Sequence, residues 1–250
     1  MKHILRSTIA ALTIVVFGFA PARAAEDGDI VERTTVTLTD AQRELLLAQC
    51  STCSGFIDSI EVQSITYLSD GLKVKGYVAI PSEDGPFPCL IVNRGGNREY
   101  GAISDPAAVG WLGAMADWGY VVIASQYRGV AGGEGVEEFG GADVDDVLNL
   151  IPVLESIPKA DTSRIDMWGA SRGGLMTYLA LARTNRVRAA VIAAGMSNSF
   201  DTVERRPAME TNVYSELAPT GWIAHGPIPV SWIVVGSSLH TKWCAPARLT

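Results

Sequence analysis

The sequence predicts a doubly wound α/β sheet, mostly parallel, whose first strands are antiparallel. Three observations predict it. From Ile60 onward, strand-like segments rich in β-branched residues alternate with segments of helical spacing. Two of the strand segments, 89–93 and 120–125, are unbroken apolar runs of the kind buried on both faces of a sheet. Segments of this length in strand, loop, helix order also require parallel neighbours joined by right-handed crossovers. A chain of 250 residues, 48% hydrophobic and 19% charged, suits one such domain and excludes a disordered, collagenous or coiled-coil chain.

Lys2, His3 and Arg6 precede a largely apolar run, 7–20, that ends at Ala22-Arg23-Ala24. Residues 1–24 therefore read as a secretory signal peptide cleaved after Ala24, because a run of 14 residues falls short of the roughly 20 that span a bilayer. Cleavage would remove three of the 20 basic side chains and no acid, leaving 17 against 27 and a formal charge of −10. Such a balance repels a phosphate backbone, so nucleic acid is not an expected partner. The expected location is the periplasm or the exterior, with no membrane attachment after cleavage.

Residues 25–58 read as a leader, with a helix at 40–47 followed by Cys50 and Cys53. The pair trails a helix instead of heading one, which argues against a thioredoxin-like redox motif. A local disulfide or idle thiols remain the readings. Cys89, inside an apolar run, reads as a small core residue.

The main domain is expected at 59–216. Strands 60–69 and 72–80 flank Asp70-Gly71, a hairpin turn. A Pro-rich link leads to strand 89–93, which Gly95-Gly96 ends. Ser104-Asp105-Pro106 supplies an N-cap and a first-turn proline for a helix reaching about Trp118, stopped by Gly119. Trp111 and Trp118, seven apart on that helix, read as core. After strand 120–125 and a glycine-rich stretch comes a helix at 142–156, which Pro152 should bend or shorten. Strand 164–169, helix 172–183 and strand 187–194 complete the alternation. Asp143, Asp145 and Asp146 suggest a metal, but carboxylates in a first helical turn are explained by the helix dipole, so neither metal nor cofactor is expected.

The chemistry rests on Gly169-Ala170-Ser171-Arg172-Gly173-Gly174, set between a strand and a helix. This is the context of a nucleophile elbow: a turn tight enough to need small residues two places either side of the serine. The helix that follows presents its first N–H groups to a developing oxyanion. Asn93-Arg94-Gly95-Gly96-Asn97 ends an earlier strand and should lie beside the elbow, one of its N–H groups completing an oxyanion hole with that of Arg172. Catalytic Ser171, with Arg172, Arg94 and Gly95 as oxyanion or substrate-binding residues, is thus the candidate site.

With Tyr127-Arg128-Gly129 and Gly140-Gly141-Ala142-Asp143-Val144-Asp145-Asp146, these motifs make the stretch from about Ile60 to Asp201 resemble the α/β-hydrolase domain of the prolyl oligopeptidase family. The resemblance implies a serine peptidase or related esterase with Ser171 as nucleophile, acting on peptides or small acyl compounds. The family often carries a tyrosine or histidine where Arg94 stands, which makes a backbone donor the expected one here. Its β-propeller, which restricts entry in many members, is not expected in a chain of this length.

A serine nucleophile needs a histidine base and an orienting acid. The family places the acid after the seventh strand and the base after the eighth. A strand at 229–238 fits the seventh, yet no acidic residue follows Glu216. Residues 217–250 form a divergent tail holding three of the six tryptophans and two of the three histidines. The expectation is a chain shortened at its C-terminal strands and lacking the usual acid and base. Asp201 with His240 or His225 is the alternative relay. The functions weighed are a prolyl oligopeptidase-type peptidase, a carboxylesterase and a non-catalytic relic.

Overall fold

The computed structural model describes residues 24–195 and the strand Ile233–Gly236. Its eight strands are β1 (Ile30–Thr35), β2 (Ile60–Ser69), β3 (Leu72–Pro81), β4 (Phe87–Asn93), β5 (Val121–Ser125), β6 (Ala160–Ala170), β7 (Val187–Ala193) and β8 (Ile233–Gly236). They form one sheet in the order β1-β2-β3-β5-β4-β6-β7-β8. β1, β2, β3 and β5 pair antiparallel, whereas β5, β4, β6, β7 and β8 run parallel. The expected doubly wound sheet with antiparallel first strands is what forms, and the predicted strand at 229–238 is met by β8.

Alternation along the central strands shows why both faces must be covered. In β4, Cys89 and Ile91 enter one core while Leu90 and Val92 enter the other. The first core is closed by α4 (Asp143–Leu148), α5 (Leu150–Glu155) and α6 (Arg172–Leu181). Val144, Val147, Leu150, Leu154, Leu175 and Leu179 supply its helical side. The second core lies under α1 (Asp40–Gln49), α2 (Asp105–Ala107), a π-helical turn at Ala108–Leu112 and α3 (Gly113–Ala116). Cys89 is fully buried in the first core, and burial raises its thiol pKa to about 12. It is therefore expected to resist a thiol reagent at pH 8 until the protein is unfolded; rapid modification of native protein would contradict this.

Several local features follow the sequence. Asp70 and Gly71 both take positive φ, 51° and 73°, as the tight β2–β3 hairpin requires. Pro152 has no N–H for the Leu148 carbonyl, and the predicted single helix divides at Asn149 into α4 and α5. Ser104 stands at an N-cap, but its side chain makes no cap bond; only its carbonyl accepts from Ala108 N–H, at 2.8 Å. Trp111 packs edge-on against Trp168 at 5.4 Å, whereas Trp118, read as core, is 41% exposed.

The leader is better joined to the domain than its sequence suggests. β1 lies at the sheet's edge, antiparallel to β2, with a register shift between Ile30 and Glu32. Thr39 and Gln42 close a capping box on α1. Gly110 has no side chain, which leaves room for Leu46 of that helix to pack on the π-helical turn. Cys50 and Cys53 form a disulfide directly after α1, resolving the two readings of the pair.

The acids of α4 are the clearest correction. Asp143 and Asp146 are fully buried, and each pairs with an arginine rather than only facing a helix dipole. Asp146 receives Arg128 through Nε at 3.1 Å and Nη2 at 2.8 Å, the Arg128 N–H at 2.7 Å and the Ser69 hydroxyl at 2.7 Å. This pair joins two of the motifs behind the family resemblance. Asp146→Ala is expected to destabilise the fold by about 3 kcal/mol, because it strands a buried guanidinium that keeps only the partly exposed Asp70. A denaturant midpoint unchanged from wild type would refute that.

Candidate active site

Ser171 stands between β6 and α6 with φ 54° and ψ −122°, a conformation that side-chain-bearing residues rarely adopt. The surroundings enforce it. A Cβ on Gly169 would lie 2.5 Å from the carbonyl carbon of Gly173 and closer to its oxygen; one on Gly173 would lie 2.7 Å from the carbonyl carbon of Asn93 and closer to its oxygen. Only glycine fits at either place, as the elbow motif requires. Ser171 N–H is held by the Ala193 carbonyl at 3.0 Å, and its own carbonyl accepts from Gly174 N–H at 3.0 Å. The side chain does not cap α6, and the residue is exposed. A hydroxyl thus stands at the carboxyl end of the parallel strands, beside a helix N-terminus whose first N–H groups have no intrahelical acceptor.

The loop after β4 comes to the same place. A Cβ on Gly95 would sit 3.6 Å from the Ser171 Cβ, so this stretch of backbone is the elbow's direct neighbour. Two ties fix it there. Asn93 Nδ2 donates to Thr177 Oγ1 at 2.9 Å, which in turn donates to the Gly173 carbonyl at 2.8 Å. The Gln126 side-chain amide donates to the Ile103 carbonyl at 2.6 Å and accepts the Ile103 N–H at 3.0 Å.

The structure therefore brings Ser171, Arg172, Arg94 and Gly95 together, but both guanidinium groups turn away from the serine into the interior. Arg94, 1% exposed, donates to the Gln126 carbonyl through Nε at 3.0 Å and Nη2 at 2.7 Å, and to the Gly95 carbonyl at 3.1 Å. Arg172, also 1% exposed, pairs with Glu137 and Asp143. Their side chains are structural, so what each can offer a reacting acyl group is backbone N–H, as expected of Arg94.

Sequence reasoning missed Glu137. Its carboxylate is 3% exposed and accepts from Arg94 Nη2 at 3.2 Å, from Arg172 Nη1 and from the Arg98 N–H. Tyr127, fully buried, has both guanidinium groups against its ring, Arg94 at 4.8 Å and Arg172 at 4.6 Å from the ring centre. Burial pushes its phenol well above the usual range, so the hydroxyl keeps its proton. It donates to the Arg94 carbonyl at 3.1 Å. No motif marks a glutamate as the partner of two distant arginines.

Asp201, His225 and His240, the alternative acid and bases, lie outside the described residues. Among the described residues no group of three or more acidic, histidine or cysteine side chains is arranged to hold a metal.

A strained serine at a strand-to-helix turn, on a sheet of this order, is the arrangement of an α/β-hydrolase. Residues 70–217 match the X-Pro dipeptidyl-peptidase (S15 family) over more than half of the chain. The chain belongs to the S15 family. That family supports a hydrolase of the α/β-hydrolase serine-peptidase class, the class the motifs implied. An uncharacterised peptidase of Bacillus subtilis, YtmA, is 35% identical over 148 residues, which are 59% of this chain and 56% of YtmA. Dipeptidyl-peptidase 5 of Porphyromonas gingivalis is 30% identical over 52% of this chain and 20% of its own. The chain thus spans about half of one of these relatives and a fifth of the other. Among solved structures, an acetyl xylan esterase from Paenibacillus sp. R4 has a TM-score of 0.52 at 19% identity, covering 75% of this chain and 62% of its own, a likeness of fold alone.

Proposed function

We propose that this S15-family chain is an exported serine peptidase of the prolyl oligopeptidase type, which cleaves peptide bonds through an acyl-enzyme on Ser171. The observation that carries the reading is the conformation of Ser171, exposed on a strained turn with the α6 N-terminus on one side and Gly95 on the other. In the first step the hydroxyl oxygen adds to the scissile carbonyl carbon, and the carbonyl oxygen becomes the oxyanion. The N–H groups of Arg172 and of the Arg94-Gly95 loop receive that charge, an interaction stronger in the transition state than in the bound substrate. The amine leaves, and water releases the acyl group. A proton relay for both steps has to come from outside the described residues, where Asp201 with His240 or His225 is the alternative to a chain impaired by loss of the usual acid and base.

Peptides are favoured over esters because the matched family and both curated relatives are peptidases, and the family's name points to substrates with proline second from the amino end. Export rests on the reading of residues 1–24, and the Cys50–Cys53 disulfide accords with an oxidising compartment. The test is labelling of the mature protein by a fluorophosphonate, with Ser171→Ala as the control. Labelling that depends on Ser171, with faster turnover of X-Pro anilides than of matched alanine anilides, is the expected result. Failure of the wild type to label would sink the acyl-enzyme, and aryl esters alone being turned over would make the chain an esterase.

A further inference from the structure

Two features from separate parts of the chain meet behind the nucleophile. Tyr127 donates its hydroxyl to the Arg94 carbonyl oxygen at 3.1 Å. That oxygen and the Gly95 N–H are opposite ends of one planar peptide unit, so whatever holds the oxygen also sets the direction of the N–H. Glu137 bonds Arg94 through one oxygen and the Arg98 N–H through the other, and the first oxygen also takes Arg172. One carboxylate therefore spans both backbone segments that flank the nucleophile. With Asp143 on the second Arg172 nitrogen, two cations meet two anions in this cluster.

We propose that Tyr127 and Glu137 are positioning residues for the oxyanion hole, Tyr127 fixing the tilt of the Arg94–Gly95 peptide and Glu137 fixing its distance from the Arg172 N–H. The proposal rests on the Ser171 acyl-transfer reading. Neither residue touches substrate; both act through backbone groups that do.

Tyr127→Phe is the decisive variant, since it deletes one oxygen and leaves the ring against both guanidinium groups. Removing an oxyanion donor outright costs about 10²–10³ in kcat, and a donor merely mis-aimed should cost part of that. Fluorophosphonate labelling per mole of folded Tyr127→Phe should slow about tenfold, and kcat should fall by a similar factor with KM within about twofold of wild type. Glu137→Gln, which sets an amide donor against either the Arg98 N–H or the guanidinium groups, should slow labelling about 100-fold. A purely structural role would lower the melting midpoint and leave labelling per folded mole unchanged; that result in Tyr127→Phe overturns the proposal. Should Glu137→Gln not fold, Tyr127→Phe decides alone. A wild type that does not label overturns the acyl-transfer reading and this proposal with it, whereas a labelled wild type beside an unimpaired Tyr127→Phe overturns the proposal only.

Discussion

Ser171→Ala is expected to lose all fluorophosphonate labelling and to lower kcat by on the order of 10⁶, because nucleophile, base and acid act as a unit. Rate above that of water would survive, on the order of 10³, from the oxyanion donors and binding alone. Stability should barely move. The hydroxyl caps nothing and the residue is exposed, so the change belongs with surface substitutions worth within about 0.5 kcal/mol. Alanine is no easier than serine to hold at φ 54°, so no backbone strain is released either. Kinetic loss without thermal loss is the signature. Labelling of the alanine variant at the wild-type rate would place the nucleophile elsewhere.

Gly173→Ala should do the reverse, damaging the fold first and the chemistry through it. The added carbon would meet the Asn93 carbonyl, and behind it the Arg94 carbonyl at 2.9 Å. Those atoms belong to the end of a central strand, which has no rotamer with which to move aside. The cost should reach the upper end of overpacking penalties, about 3 kcal/mol, lowering the melting midpoint by roughly 6–12 °C. Folded molecules would have α6 pushed away from the loop after β4, parting the two donor segments and slowing labelling. Wild-type melting and labelling in this variant would mean that the elbow is looser than its geometry implies.

The elbow was legible in the sequence because its causes are local: two glycines at fixed distance from a serine, a strand before and a helix after. The hairpin at Asp70-Gly71 and the break caused by Pro152 were legible for the same reason, since each follows from the backbone chemistry of one or two residues. The buried ion pairs were not. An aspartate in a first helical turn looks the same whether it faces water or Arg128, and charged residues are ordinarily exposed. Glu137 lies 43 residues from Arg94 and 35 from Arg172, so only the folded sheet places the three together. The leader misled for a related reason. β1 has five exposed residues of six and lacks the apolar alternation that marks a strand, and its membership of the sheet depends on pairing with β2.

That bordering strand also bears on how copies of the chain behave in a crowded solution. An open row of amides and carbonyls invites a second molecule to add its own strand, the first step toward fibrous deposits. Here the row carries Glu32 and Arg33 and is kinked near its start, so an incoming strand would face charge and a mismatched repeat. The same polarity that hid the segment from a reading by hydrophobic pattern guards this side of the protein against self-association.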